Sequence, residues 1–255
     1  MAAVLDNGFM TVDLNADVGE GWDDKALFPF LTSVNVACGG HAGDPGSIEK
    51  TLLGARALHL AIGAHPGYED RENFGRVEMG LGPGPVEDLV ARQLDLFARI
   101  AASAGITVTH VKPHGALYNR AARDLQIARA IARAVARANS NTALVGLPGS
   151  DVEKAARELG LRFIPEGFAD RRYLSDGSLA PRSRDGSVIR DPADAAAQAI
   201  ALAQGLPFAT LDGEGCRMQI ETICIHSDSP GAAATAEAVH EALSRTGLLS
   251  RGPRQ

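Results

Sequence analysis

Seven short apolar runs alternate along the chain with segments whose apolar residues recur at three- and four-residue spacing. The runs predict strands at Met10–Leu14, Val34–Ala37, Ala61–Ala64, Thr107–Val111, Ala143–Gly146, Arg162–Ile164 and Thr222–Ile225. The intervening periodicity predicts helices. Asp44-Pro45 opens one that carries Ile48, Leu52, Ala55 and Leu58. Pro85 to Ala104 is the longest, with Val86, Leu89, Val90, Leu94, Phe97 and Ile100 on one face and Gly105 at its end. Asp124 to Ala138 repeats the pattern, and Ser150 to Glu153 reads as a capping box. Asp191-Pro192 starts an Ala-rich helix ending at Gly205, and Ser229-Pro230 starts the last one. Strand–helix–strand repetition with short loops implies parallel pairing and right-handed crossovers.

Nearly every strand ends in a knot of polar residues, as DLNADVGE (Asp13 to Glu20), NVACGGHAGD, IGAHPGYED, KPHGALYN (Lys112 to Asn119), PEGFADRRY and ICIHSD. A doubly wound sheet concentrates such residues at one switch point, whereas a barrel distributes them over all its strand ends, so a closed β/α barrel is predicted. Ser175 to Ser178 suggests a hairpin excursion or lid. No linker or repeat divides the 255 residues, which predicts one domain with a core over about 11–247 and a flexible tail over 248–255.

Composition removes several function classes. A net charge of -6 and 5% aromatic residues argue against nucleic-acid binding. No apolar run approaches the roughly 20 residues that cross a bilayer, and the N-terminal residues lack the form of a secretion signal. Three cysteines without C-x-x-C spacing fit a reducing compartment, so a soluble cytoplasmic protein is expected. There is no G-x-x-x-x-G-K-[ST] loop, no convincing G-x-G-x-x-G and no G-x-S-x-G elbow.

The polar knots supply the candidate chemistry. Asp13, Asn15 and Asp17 alternate onto one side of an extended chain, with Glu20 farther along and equally readable as a solvated loop residue. His41 and His65 follow adjacent strands; with Asp17 they read as a divalent-metal triad or, without a metal, as general acids and bases. Neither an H-E-x-x-H motif nor an i,i+4 histidine pair selects the metal. Lys112 suits oxyanion or phosphate stabilisation, His114 proton transfer and Tyr118 substrate orientation. A buried Lys112 would be balanced by Asp13 or Asp17. Glu166, Asp170, Arg171 and His226 gather near the last strands, with Arg171 and Arg76 as carboxylate clamps. His110 reads as structural, His59 and His240 as ordinary helix residues, and Asp44 as an N-cap.

These motifs, in this order from about Thr11 to Gly247, resemble the LamB/YcsF family, described as the A component of prokaryotic 5-oxoprolinase. DLNADVGE, ACGGHAGDP, AIGAHPGY, FGR, HVKPHGALYN, FADRRY and ICIHSDSP carry the resemblance. It implies a distorted seven-stranded TIM-like β/α barrel similar to glycoside hydrolase and deacetylase barrels. It further implies ATP-dependent opening of the 5-oxoproline lactam to L-glutamate, with ATP and Mg2+ as cosubstrate and 5-oxoprolinase subunits B and C as partners. In that setting Lys112 neutralises charge on oxygen or phosphate, an Asp17/His114 pair activates water, and Arg76 or Arg171 holds the substrate carboxylate. The chain departs from the family at Ala16, where a cysteine is common, at Gly40, where an aromatic is common, and at HSDSP, where HGDNP is usual. Ala16 argues against a required thiol, and Gly40 is expected to widen the pocket. Two competing readings are a metal-dependent deacetylase or amidase that works without ATP, and a non-catalytic protein that binds 5-oxoproline for its partners.

Overall fold

A computed structural model describes residues 11–228 and 231–250. Seven strands pair in chain order and close into a parallel barrel: β1 Asp13–Val18, β2 Ser33–Ala37, β3 Ala61–His65, β4 His110–Val111, β5 Ala143–Gly146, β6 Phe163–Phe168 and β7 Thr222–His226. The helices are α1 Pro45–Ala57, α2 Pro83–Ser103, α3 Gly115–Arg123, α4 Leu125–Ala138, α5 Asp151–Glu158, α6 Pro192–Ala203 and α7 Ala232–Arg245. The expected TIM-like β/α barrel is therefore what the chain forms.

Two compact units make up the chain. One contains Asp17–Asp23 and Val34–Ile164. In it, α2 buries Val86, Leu89, Val90, Leu94 and Phe97 of the stripe that its sequence periodicity describes, while Ile100 is half-buried and Ala101 beside it is buried instead. Asp44 caps α1 through a reciprocal capping box with Ser47, which satisfies backbone donors that a helix start otherwise leaves open. Ile48, Leu52 and Ala55 of that helix are buried, but Leu58 falls past its end and is exposed. His59 also lies beyond the helix, with a positive φ of 56°. At Ser150 the expected capping box does not form: its side chain makes no cap hydrogen bond, and Glu153 instead accepts from the Gly149 amide at 2.7 Å.

The other unit contains, among the described residues, 11–16, Asp24–Ser33 and those from Pro165 onward. Glu166, Gly167 and Phe168 of β6 register against Thr222, Ile223 and Cys224 of β7. The hairpin excursion is present: Tyr173 bridges Leu179 and Arg171 bridges Val188, both antiparallel. Leu248 is buried and the Ser250 amide donates to the Val12 carbonyl at 2.7 Å, so residues 248–250 belong to the packed structure rather than to a loose tail. The expected Ser229-Pro230 helix start and the residues after 250 lie outside the described residues.

Three element boundaries correct the sequence reading. β1 begins at Asp13 and runs to Val18, so its polar residues belong to the strand itself. β6 extends through Phe168, which places Glu166 inside the strand. A helix that periodicity did not reveal, α3, follows His114 directly and carries Tyr118.

Candidate active site

Alternation along β1 sets Asp13, Asn15 and Asp17 against Leu14, Ala16 and Val18. Its end, with β2, β3 and β4 and the loops that follow them, delivers a dense polar centre within one unit. Lys112 is 2% exposed, and its Nζ donates to Asp17 Oδ1 at 2.9 Å. A buried ammonium requires such a partner, and here it is Asp17. Asn35 Nδ2 donates to the same Oδ1 at 2.9 Å. Asn35 Oδ1 lies 2.8 Å from His110 Nε2, and His110 Nδ1 lies 2.8 Å from the Thr109 hydroxyl. The His110 ring fits because residue 63 is glycine: a Cβ there would stand 2.2 Å from the ring.

Beside this pair, three histidines converge on Glu20. Its Oε1 lies 2.9 Å from His41 Nε2, 3.2 Å from His114 Nδ1 and 3.8 Å from His65 Nε2. His65 Nε2 is 3.0 Å from His114 Nδ1 and 3.3 Å from Asp17 Oδ2. His41 stacks on His114 with ring centroids 3.6 Å apart, and Phe74 packs edge-on against both. Two outer nitrogens are anchored to backbone: His65 Nδ1 donates to the Lys112 carbonyl at 2.7 Å and His114 Nε2 to the Phe74 carbonyl at 2.9 Å.

Glu20 is thus a central buried group and not a solvated loop residue. Burial pushes its carboxyl up, but the contacts with His114 and His41, and the charge those imidazoles and His65 carry when protonated, outweigh it and hold the carboxyl far below the ordinary range. Burial pushes His41 down to about 4, against the opposing pull of Glu20. His114 is likewise lowered, chiefly by burial. For His65 burial is opposed by the Asp17 charge and hydrogen bond, which win and raise it. The carboxylate bonded to His114 is Glu20 rather than Asp17. Correspondingly, the ligand-capable atoms that come together are those of Glu20, His41, His65 and His114, all within 4.8 Å of one another, a different set from Asp17, His41 and His65.

Arg76 is exposed, with its guanidinium 4.9 Å from the Phe74 ring centroid, at the edge of the histidine stack. Tyr118 is buried on α3, and its amide donates to the His114 carbonyl. Gly40 leaves no added room: a Cβ there would stand 2.6 Å from Gln93, whose buried amide fills the space and bonds both Gly67 N and Gly67 O.

The remaining candidates lie in the other unit. Asp13 accepts from the hydroxyls of Thr32, Ser33 and Thr222 at 2.5, 2.6 and 2.6 Å. Asn15 donates to Glu166 at 3.2 Å and to Thr222 at 2.7 Å. Asp170 receives the backbone amide and the Nδ1 of His226, each at 3.0 Å. Burial opposes its ionisation, but the His226 charge and these bonds hold its carboxyl below the ordinary value. Arg171 donates to the Ala180 carbonyl at 2.6 Å. Asp170 and His226 border a cleft of about 160 Å³ whose other polar lining includes Arg182, Arg190 and Asp228.

Sequence reasoning missed Asn35, Gln93, Arg182, the Phe74 carbonyl and the connection of His110 to Asp17. Only Asn35 left a signal, as a polar residue inside an apolar strand run.

Fold and site together define a β/α-barrel protein with a buried lysine–carboxylate pair beside a histidine–glutamate nest. The LamB/YcsF family model matches residues 12–254, and the chain belongs to that family. It is 43% identical over 251 residues to the 5-oxoprolinase A component of Chloroflexus aggregans, covering 96% of this chain and all of that one. The corresponding 5-oxoprolinase component of a Thermus thermophilus strain is 45% identical over 248 residues, covering 95% and 99%. The crystal structure of a lactam utilization protein from Thermus thermophilus superposes with a TM-score of 0.89 at 43% identity, covering 96% of this chain and 100% of that one. Among the described residues, no helix is long and apolar enough to cross a membrane.

Proposed function

We propose that this chain opens the lactam of 5-oxoproline to L-glutamate in an ATP-driven reaction, as the A component of a complex with subunits B and C. The observation that carries the reading is the buried Lys112–Asp17 pair at 2.9 Å, with His65 3.3 Å from the same carboxylate. The names of the relatives supply the substrate. Lys112 is a cation held out of water, where it stabilises developing negative charge on oxygen far better than in solvent.

An unstrained lactam resists water because addition at C5 breaks amide resonance. ATP with Mg2+ overcomes this by transferring its terminal phosphoryl group to the lactam oxygen, releasing ADP. Water then adds to C5, the C5–N bond breaks, and the nitrogen takes a proton. The resulting acyl phosphate reacts with a second water to give glutamate and phosphate. Lys112 neutralises charge on the C5 oxygen or its phosphate. The Glu20–His114 nest polarises the attacking water, and Asp17 takes its proton and returns it to the nitrogen. Arg76 holds the substrate carboxylate, with its guanidinium placed over Phe74 at the edge of the nest. Tyr118 orients the ring. This chain has no Walker loop, so the nucleotide binds at a site of another form or on another subunit, and a cytoplasmic location with its ATP supply goes with this reading.

The test is 5-oxoproline-dependent formation of ADP and glutamate by this chain alone and with subunits B and C. Coupled product in the complex is expected. Binding of 5-oxoproline with no pocket variant affecting turnover would make the chain a substrate-delivery component. Chelator-sensitive deacetylation of a sugar amide without ATP would make it a metal hydrolase.

A further inference from the structure

We infer that Glu20, His65 and His114, with His41 as the fourth and weakest donor, form a site for one divalent cation of the zinc type. The site follows from a count of donors and acceptors. A carbonyl oxygen only accepts, so the 2.7 Å contact of His65 Nδ1 with Lys112 O and the 2.9 Å contact of His114 Nε2 with Phe74 O fix hydrogens on those nitrogens. In neutral rings the other nitrogens then carry lone pairs, and these face each other at 3.0 Å. Glu20 Oε1, also an acceptor, lies 3.2 Å from one and 3.8 Å from the other. Asp17 Oδ2 lies 3.3 Å from His65 Nε2. Acceptors crowded against acceptors in a dry pocket repel unless they share a positive centre.

One proton on one ring bridges some of these contacts; a metal ion takes up all the lone pairs together. Two features favour the metal. Ligating histidines characteristically donate their outer N–H to a carbonyl or carboxylate, as His65 and His114 do here. The four ligand atoms lie within 4.8 Å of one another, and tetrahedral ligands on bonds of about 2.0–2.1 Å stand roughly 3.4 Å apart. A donor set of three imidazoles and one carboxylate suits zinc and its neighbours better than magnesium or calcium. His41 is the exception in this set: its Nδ1 has no hydrogen-bond partner among the described residues, so nothing orients it as a ligand. When bound, such a cation polarises a substrate oxygen or acidifies a water.

The experiment strips the full chain with chelator, reloads it with Co2+ or Zn2+, and measures bound metal and the Co2+ d–d spectrum without substrate. One ion per chain and a four-coordinate Co2+ spectrum are expected. Stoichiometric binding disappears in Glu20→Gln and His65→Ala, while His41→Ala retains the ion ~10-fold more weakly. Circular dichroism confirms that each variant folds, and the wild-type stoichiometry decides the matter even where a variant does not. Metal far below one ion per chain, or one ion retained in folded Glu20→Gln and His65→Ala, overturns the site in favour of a shared proton. Because no turnover is read, this outcome and that of the lactam assay are independent.

Discussion

Asp13 and Asp170 in one unit and Glu20 in the other are held in opposite ways. Around Asp13 and Asp170 every carboxylate contact on view is met by a donor: three hydroxyls on one, a backbone amide and an imidazole on the other. Where Glu20 meets His65 and His114, acceptors meet acceptors, and both histidines are pinned by backbone carbonyls with their lone pairs turned inward. The first arrangement is what a protein builds to hold strands together. The second is costly unless something positive is bound or moved there, and it lies beside a buried lysine. Both contain histidine and carboxylate, so the balance of donors and acceptors, rather than residue type, separates framework from chemistry.

Lys112→Met breaks this comparison most severely. It strands the buried Asp17 charge and removes the oxyanion partner. Turnover by the assembled complex should fall ~10³-fold, and stability should drop by about 3–5 kcal/mol in denaturant unfolding. Normal turnover would remove Lys112 from the mechanism. Gly63→Ala should act through packing alone, driving the new methyl into the His110 ring. A loss of about 1–3 kcal/mol is expected, and unchanged stability would mean that the ring does not occupy that space.

Asp170→Asn sharpens the contrast from the other side. It should cost about 1–3 kcal/mol while leaving metal binding by the chain intact. The Asp170 carboxyl is held below its ordinary value in the folded chain, so its ionised form contributes stability above the unfolded value of about 3.9. That contribution fades as pH falls through the folded value, and the melting gap between wild type and Asp170→Asn should close on acidification. A gap that widens would show the sign to be wrong. Cys38→Ala should have the smallest effect, about 1 kcal/mol or less, from loss of the 3.2 Å contact between Cys38 Sγ and the His65 amide. Burial pushes the Cys38 thiol up, so the wild-type residue should also resist alkylation near neutral pH; rapid labelling would contradict this.

The barrel was legible because alternation, caps and short apolar runs are local. α1 and α2 could be read almost to the residue from Asp44-Pro45 and from the stripe Val86 to Phe97. α3 escaped because its nine residues, Gly115–Arg123, offer too few turns for a period and the KPHG motif just before it reads as a loop. The identities of the central residues were also legible, since Asp17, His41, His65, Lys112 and His114 all end apolar runs. Their partners were not. Whether Lys112 meets Asp13 or Asp17, whether His114 meets Asp17 or Glu20, and whether Gly40 opens space or admits Gln93 are decided by contacts between distant segments. Glu20 looked solvated for the same reason: the histidines that bury it come from three other segments.

The most direct measurement is kcat for 5-oxoproline-dependent glutamate release by a complex assembled with the Glu20→Gln chain. The substitution keeps size and shape while removing the charge at the centre of the nest and, with it, the inferred cation. A fall of ~10²-fold or more with the wild-type circular dichroism spectrum retained is the predicted result. Wild-type kcat would contradict a catalytic role for the nest and place the chemistry elsewhere.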